Sequence, residues 1–209
     1  GLPIPDNPGY NSILALDTSG EVVASYDKSH LVPFGEYLPF QSFWRLFGIN
    51  QFVPGTNGWA AGDGRRLMSP PGSPAFLALV CYEAVFPGDI GTPEDVAAAE
   101  FILNVTNDAW FMGSIGPAQH AHHARMRAVE AGLPMLRAAN SGVTLSVDPL
   151  GRITAQLAED QIGVLDVIPA QKLAEGTWFN RLGHLPFWLA VGLGILGSLV
   201  AARRPPRLA

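Results

Sequence analysis

The sequence predicts a mixed α/β domain that is followed by one transmembrane helix. Short apolar runs bounded by proline and glycine alternate with helical segments between Phe76 and Ala131, and several β-prone runs follow. This order of strands and helices is typical of mixed α/β domains. The segment Leu185–Ala202 has no charged residue, and its length is close to the ~20 residues that a helix needs to cross a bilayer.

The composition fits one domain with a proper core and excludes some classes of function. The chain has 209 residues, of which 48% are hydrophobic and only 15% are charged, so it is apolar for a soluble domain. The net charge of −5, without a basic stripe, gives no basis for nucleic-acid binding. One cysteine excludes an intrachain disulfide. Because Gly1 is neither an initiator methionine nor the start of a signal peptide, we expect the chain to be part of a longer protein.

The first part of the chain predicts a β-hairpin and a fixed loop. Residues 11–17 and 21–27 are β-prone runs on either side of a Ser-Gly turn, and Lys28 follows the second run. The prolines and the glycine of residues 31–40 exclude regular structure. From its position alone, Lys28 is more often a surface side chain than a functional one.

An aromatic segment follows the loop. Residues 40–52 are mostly apolar and predict a short helix, which either packs on the core or forms an exposed lid toward a membrane or a ligand. Residues 55–74 are rich in glycine and proline and predict loops around one weak strand.

Cys81 comes where a buried strand is predicted to stop. Five apolar residues precede it, and Pro87 with Gly88 ends the turn that follows. A strand end followed at once by a helical turn places a side chain at a cleft beside free backbone N–H groups, which stabilise a thiolate and a developing oxyanion. A lone cysteine is also commonly a small buried hydrophobic residue, so position alone leaves both interpretations open.

Two helices and four strands are predicted after Cys81. The pattern predicts helices over residues 92–100 and 116–131, with strands over 101–106, 134–140, 142–147 and 152–157.

Two groups of polar residues near these elements could be functional, namely three histidines and an Asn-Asp pair. His120, His122 and His123 have no carboxylate or cysteine at ligand spacing, so we predict no metal there. Asn107 and Asp108 follow a strand and are predicted to fix a loop by hydrogen bonds to the backbone.

The C-terminal segment predicts a membrane span with a basic tail. Arg203, Arg204 and Arg207 directly follow the apolar run, which favours a transmembrane helix over a buried core helix. By the positive-inside bias we expect the tail in the cytoplasm and the domain on the periplasmic side. The predicted organisation is a catalytic-domain portion over 1–183, a transmembrane helix over 184–202 and a basic cytoplasmic tail over 203–209.

Several ordered motifs resemble the nitrilase superfamily of carbon–nitrogen hydrolases. They are Tyr26-Asp-Lys28, residues 31–36, Cys81-Tyr82-Glu83 and Asn107-Asp108-Ala109-Trp110-Phe111. The Cys-Tyr-Glu sequence, residues 114–120 and the terminal apolar helix are similar to the apolipoprotein N-acyltransferase branch of the bacterial inner membrane. The resemblance covers residues 10–204 and implies part of an α-β-β-α sandwich with a Glu-Lys-Cys triad and no cofactor.

The resemblance implies a role for six residues. Cys81 corresponds to the nucleophile, Lys28 to the triad lysine and Glu36 to a supporting glutamate. Tyr82 and Glu83 correspond to residues beside the nucleophile, and Trp110 either lies in the core or lines the acyl pocket. The general-base glutamate and further transmembrane helices are expected ahead of residue 1, so the 209 residues alone are expected to be inactive.

The implied reaction moves a fatty acyl chain from a phospholipid, through a thioester on Cys81, to the N-terminal amine of a diacylglyceryl-cysteine lipoprotein. The implied partners are this phospholipid donor, the apolipoprotein acceptor and the membrane, without nucleic acid. Two alternatives stay open from the residues: a membrane-tethered nitrilase-type amidase that hydrolyses a small amide, and an inactive nitrilase-like structural domain.

Overall fold

The computed structural model describes residues 9–49, 58–159 and 161–202. These ranges contain eight β-strands: β1 (Ser12–Leu16), β2 (Val22–Asp27), β3 (Leu67–Met68), β4 (Phe76–Val80), β5 (Phe101–Asn107), β6 (Met135–Asn140), β7 (Thr144–Val147) and β8 (Ile153–Leu157). The same ranges contain five α-helices: α1 (Gln41–Arg45), α2 (Pro93–Ala98), α3 (Gly116–Ala131), α4 (Trp178–Leu182) and α5 (Leu185–Ala202). The chain also has two short 3₁₀ turns within these ranges. Cys81–Val85 directly follows β4, and Ala109–Phe111 follows β5 after Asp108.

The main sheet has six strands in the order β3-β4-β5-β6-β7-β8. Strands β4, β5 and β6 are parallel, and the other pairings are antiparallel. Val80 pairs with Val105, so β4 and β5 end at the same edge of the sheet. The residues after two parallel strands meet at such an edge, which is where α/β proteins place their sites.

Strand β4 is buried on both faces because its side chains alternate between two layers. All five of its residues are buried. Leu77 and Leu79 pack toward α2 and α3, while Ala78 and Val80 pack toward β1 and β2. Alanines at positions 121, 124 and 128 of α3 face the sheet and let the helix approach it closely. The molecule is therefore layered as hairpin, sheet and helices, as expected for part of an α-β-β-α sandwich.

The predicted hairpin is confirmed, and it forms a two-stranded sheet of its own. The Asp17 side chain accepts hydrogen bonds from the backbone N–H groups of Ser19 and Glu21, and Gly20 takes a φ of 85° in the turn. Tyr26 is fully buried against β4. Thus Lys28, directly after β2, reaches the site from a separate layer rather than from a neighbouring strand of the main sheet.

The other predicted elements are confirmed with small shifts at their ends. Helix α2 begins with a capping box in which Thr92 Oγ1 accepts from the Asp95 N–H at 3.1 Å and Asp95 Oδ2 accepts from the Thr92 N–H at 3.2 Å. Helix α3 ends at Ala131, and the next residue, Gly132, has a φ of 69° that suits a left-handed C-cap.

Helix α1 is exposed. None of its residues is buried, and Phe40 and Phe47 beside it are 84% and 66% exposed. The structure therefore contradicts packing of this segment on the core and agrees with an exposed apolar surface, although residues 50–52 lie outside the described residues.

Helix α5 matches the predicted apolar segment. It spans 18 residues with a mean hydropathy of 2.0, and none of that length is buried inside the protein. Since such a helix exposes apolar side chains all round, it is a candidate membrane span. Helix α4 connects it to the domain, because Asn180 Nδ2 donates to the carbonyl of Ala131 at 3.0 Å. The arginine tail lies outside the described residues.

Candidate active site

Cys81 lies at the elbow between β4 and the 3₁₀ turn, as the sequence predicts. Its backbone has a φ of 51°, a left-handed conformation that non-glycine residues seldom adopt and that costs about 1–3 kcal/mol. The thiol is free and half-buried. A strained residue at a strand-to-helix turn is the arrangement that presents nucleophiles in many hydrolases. The alternative of an ordinary buried cysteine is therefore disfavoured.

Glu83 ties this elbow to the loop after β2. Its side chain is fully buried. Oε1 accepts from the Tyr26 hydroxyl at 2.9 Å and from the backbone N–H groups of Ser29 at 2.9 Å and His30 at 3.0 Å. Oε2 accepts from the Val80 N–H at 2.7 Å. Because these donors come from β2, from the loop after it and from the end of β4, Glu83 links the Cys81 elbow to the loop that follows Lys28.

Arg65 supplies the counter-charge to Glu83, and sequence reasoning missed it. It forms an ion pair with Glu83, a second with Asp89 at 3.0 Å, and a hydrogen bond to the Tyr26 hydroxyl at 2.8 Å. Burial is the largest influence and lowers the pKa of the guanidinium, but the charges of Glu83, Tyr26 and Asp89 together outweigh it, so the pKa is raised. Burial, then the charge of Glu83, raises the pKa of Tyr26. No local pattern distinguishes Arg65 within its glycine-rich segment.

Lys28 and Glu36 form a second ion pair. The ammonium of Lys28 lies 2.8 Å from Oε1 and 2.6 Å from Oε2 of Glu36. Glu36 also accepts from the Val32 N–H at 2.8 Å and from Asn11 Nδ2 at 3.3 Å. Lys28 is fully buried, whereas the Glu36 side chain is 15% exposed. The expectation that a lysine at this position is an ordinary surface residue is wrong.

Asp108 is the centre of a third buried cluster. Oδ1 contacts Thr106 Oγ1 at 2.9 Å and His120 Nδ1 at 2.8 Å, and Oδ2 accepts from Arg137 Nη2 at 2.6 Å. Burial is the largest influence and raises the pKa of this carboxyl, but the hydrogen bonds and charges of His120, Arg137 and Thr106 together outweigh it, so the pKa is lowered. The prediction that Asp108 fixes a loop through the backbone is wrong, because its partners are side chains. Asn107 does so instead, accepting from the Ala109 N–H at 3.1 Å.

His120 connects this cluster to the cysteine. Its Nε2 lies 3.1 Å from the carbonyl oxygen of Cys81, and its side chain is buried. The position of His120 at the end of residues 114–120, which resemble the branch described above, is the one sequence signal that could have indicated it.

A cavity of about 940 Å³ opens beside Cys81. Four of the six predicted site residues line it: Cys81, Tyr82, Glu36 and Trp110. Trp110 is 69% exposed, so it is a cavity residue and not a core residue. Lys28 and Glu83 are buried next to the lining residues and do not line the cavity themselves. Among the described lining residues, Glu36 is the only carboxylate, and four valines with aromatic rings make much of the wall apolar.

The layered fold with a cysteine at a strained elbow defines the class of protein. Residues 4–171 match the carbon–nitrogen hydrolase family, and the chain belongs to that family. The NitFhit protein of C. elegans shares the fold with a TM-score of 0.52 at 22% identity, covering 73% of this chain and 36% of that one.

Two relatives carry a more particular name. The chain is 43% identical to an apolipoprotein N-acyltransferase of Bradyrhizobium diazoefficiens, over 98% of this chain and 38% of that protein. It is 45% identical to an apolipoprotein N-acyltransferase of Brucella melitensis, over 92% of this chain and 35% of that protein. The chain thus spans little more than a third of the length of these curated relatives.

Proposed function

We propose that the protein to which this chain belongs is an apolipoprotein N-acyltransferase. The observation that carries this proposal is the position of Cys81, strained at its elbow and open to a largely apolar cavity of about 940 Å³. The relatives of that name support it, as does a candidate membrane span in the same chain. A cavity of this size and polarity suits an acyl chain better than a small amide.

In the first half-reaction, Cys81 takes the acyl group from a phospholipid. A base removes the proton from Sγ, and the thiolate attacks the carbonyl carbon of the sn-1 ester. The tetrahedral intermediate then collapses, the lysophospholipid oxygen leaves with the proton, and a thioester remains on Cys81. The backbone N–H of Tyr82, in the turn after the strand, is a donor for the developing oxyanion.

Lys28 and Glu36 support this chemistry from one side of the cavity. The Lys28 ammonium donates hydrogen bonds to both carboxylate oxygens of Glu36. Because Glu36 lines the cavity, this places a positive charge close to the cavity wall. That charge stabilises the oxyanion of both half-reactions. Lys28 and the Val32 N–H already engage Glu36, so we assign the role of base to the glutamate that the family resemblance implies outside these 209 residues.

Tyr82, Glu83 and Trp110 have different tasks. Glu83 holds the elbow against the loop after β2, while Tyr82 and Trp110 contact the substrate from the cavity wall. Trp110 is largely exposed at this wall, where an indole offers a broad apolar surface to an acyl chain.

In the second half-reaction, the amine of the diacylglyceryl-cysteine attacks the thioester. The base takes a proton from the amine nitrogen, the C–S bond breaks and the Cys81 thiolate is released, leaving an amide on the lipoprotein. Water must be kept from the thioester, since hydrolysis would turn the enzyme into a phospholipase. The exposed apolar segment at α1 acts as a lid that excludes it.

The domain lies on the periplasmic side of the bacterial inner membrane. Residues 1–183 form the C-terminal part of the catalytic domain, residues 184–202 cross the membrane and residues 203–209 are cytoplasmic. The apolar surface of α5 and the three arginines that follow it in the sequence support this orientation.

The test is detection of the thioester. The full-length protein is incubated with phospholipid but without an acceptor, and the Cys81 peptide is analysed by mass spectrometry before and after neutral hydroxylamine. We expect a fatty-acyl mass that hydroxylamine removes, no such mass in Cys81→Ser, and loss of acyl transfer in that variant. The 209-residue chain alone should form no adduct; if it does, Glu36 becomes the leading candidate for the base.

Two results would contradict the proposal. One is an enzyme that transfers acyl groups without any adduct, which would indicate direct transfer. The other is a folded Cys81→Ser variant with near-normal turnover, since a hydroxyl lacks the acidity of a thiol.

A further inference from the structure

The imidazole of His120 bridges the nucleophile elbow and a buried carboxylate. Nε2 lies 3.1 Å from the carbonyl oxygen of Cys81, and Nδ1 lies 2.8 Å from Oδ1 of Asp108. The side chain is 6% exposed, and the ring of Phe111 meets it edge-on with the ring centroids 5.9 Å apart. The ring is therefore contacted at both nitrogens and by the ring of Phe111.

The chemistry of the partners decides where the protons are. A carbonyl oxygen only accepts hydrogen bonds, so Nε2 must donate to Cys81. On the other side of the ring, Oδ1 of Asp108 lies 2.8 Å from Nδ1 and fixes the orientation of the imidazole. Asp108 is suited to this role because its lowered pKa favours the ionised form.

Asp108 is itself fixed on the sheet. Arg137 on β6 donates to Oδ2 at 2.6 Å and also donates to Asn104 on β5. Gly142 passes so close to this carboxylate that a Cβ atom at residue 142 would collide with it. The charged groups around His120 are thus Asp108, directly after β5, and Arg137 on β6; Cys81 on the adjacent turn and His123 on the same helix are its other titratable neighbours.

The contact with Cys81 falls where the backbone is strained. The φ of Cys81 is 51°, and the carbonyl that His120 holds belongs to the same residue. A donor on that carbonyl restricts rotation of the peptide after Cys81, and this peptide carries the Tyr82 N–H. The contact thereby stabilises the direction of the thiol and of the adjacent N–H group together.

We propose that His120, oriented by Asp108, is a positioning residue that anchors the Cys81 carbonyl and so keeps the thiol directed into the cavity. This inference rests on the proposed role of Cys81 as the nucleophile. The six predicted site residues do not include His120 or Asp108, and the triad does not account for this contact.

The experiment compares two variants of His120 in the full-length protein. His120→Leu removes both N–H groups at similar volume, whereas His120→Gln retains an N–H donor for the carbonyl. His122→Gln is the matched control, because His122 is exposed on the same helix. The measurements are the rate of Cys81 alkylation by iodoacetamide, read from the mass of the Cys81 peptide, together with kcat and KM for acyl transfer and the thermal midpoint.

We expect alkylation and kcat to fall about tenfold to a hundredfold in His120→Leu, with KM for phospholipid nearly unchanged. His120→Gln should recover part of this loss, and the control should match the unmodified protein. Unchanged alkylation in a folded His120→Leu variant would overturn the proposal, as would a Gln variant no faster than the Leu variant.

A measurement on the unmodified protein covers the case in which the variants do not fold. The ¹⁵N NMR spectrum of histidine-labelled protein reports directly whether Nε2 of His120 carries a proton. A protonated Nε2 supports the proposal, and an unprotonated one overturns it. The alkylation readout is independent of acyl transfer, so a failure of the proposed function appears separately, as activity that survives in Cys81→Ser.

Discussion

The hydroxyl of Tyr26 donates a hydrogen bond of 2.9 Å to the carboxylate of Glu83. Tyr26 belongs to the hairpin, and Glu83 belongs to the turn after β4 whose residues Cys81 and Tyr82 line the cavity. This contact therefore joins the two β-layers next to the cavity. Both side chains are fully buried. Since the same carboxylate accepts from the loop that follows Lys28, the relative positions of Lys28 and Cys81 depend on Glu83.

Replacing Glu83 should therefore destabilise the domain strongly. In Glu83→Gln the shape is kept, but Arg65 loses the buried one of its two ion-pair partners. The amide N–H₂ group, which only donates, then faces N–H and O–H groups that also donate. We expect the free energy of unfolding to fall by about 3–5 kcal/mol, the range measured when one member of a buried ion pair is removed. The measurement is denaturant unfolding followed by tryptophan fluorescence.

Glu175→Gln is the control for this prediction, because Glu175 has an exposed side chain. It should change the free energy of unfolding by less than about 0.5 kcal/mol. A Glu83→Gln effect as small as that of the control would show that the carboxylate does not hold the two layers together.

The lowered pKa of Asp108 predicts a defined pH dependence of stability. The pKa in the folded state lies below the ordinary value of 3.8, so the unfolded carboxyl takes up its proton first as the pH falls. The contribution of Asp108 is therefore present above about pH 4 and is lost as the pH falls through the folded-state pKa. Asp108→Asn should be less stable at neutral pH and should lose stability less steeply below about pH 4.

Unfolding of both proteins at a series of pH values tests this. Asp63→Asn, which removes an exposed carboxylate, should leave stability at neutral pH within about 0.5 kcal/mol. Parallel curves for Asp108→Asn and the unmodified protein in the acid range would contradict the prediction, since Asp17 and every other carboxylate are common to both.

The exposed segment at α1 should affect lipid use without affecting stability. Phe47 is 66% exposed, and its ring contacts Phe43 at a centroid distance of 5.3 Å. In Phe47→Ser we expect KM for phospholipid to rise about tenfold, because an exposed aromatic ring that enters the lipid contributes about 1.5 kcal/mol or more of apolar burial. The thermal midpoint should stay the same.

Leu14→Ser is a suitable comparison for Phe47→Ser. Leu14 is an exposed apolar residue on the hairpin, 56% accessible, and it does not line the cavity. If both substitutions raise KM equally, the effect belongs to surface hydrophobicity in general and not to a lid.

The proposed orientation predicts which side of the membrane a protease can attack. Protease added to intact spheroplasts should digest the domain that precedes α5. A cytoplasmic protein should survive the same treatment and should be digested only after the cells are permeabilised. Full protection of the domain in intact spheroplasts would refute the periplasmic orientation.

Local sequence was sufficient to predict the helices and strands and the position of Cys81 in the site. The hairpin turn, the cap of α2, the end of α3 at Gly132 and the apolar run of α5 each depend on residues a few positions apart. The same is true of Cys81, because a buried strand that stops at a helical turn is readable from consecutive residues. Family resemblance then selected Lys28, Glu36, Tyr82, Glu83 and Trp110 as candidates, whose roles stay predictions.

Only the tertiary structure decided what surrounds these residues. Whether residues 40–52 pack on the core could not be read from their composition, since an apolar helix is compatible with both outcomes and only its neighbours distinguish them. Lys28 reaches the site from a separate β-layer, which strand order along the chain does not reveal.

Contacts between buried polar side chains show most clearly what only the tertiary structure decided. Arg137 contacts Asp108 across 29 positions, His120 contacts Cys81 across 39, and Tyr26 contacts Glu83 across 57. A charged or polar side chain is buried only when its hydrogen bonds are satisfied, and the groups that satisfy it come from whichever elements the packing brings together. The sequence by itself determined the strands, the turns and the position of the thiol, whereas the partners that orient the thiol were decided by how the hairpin, sheet and helix pack.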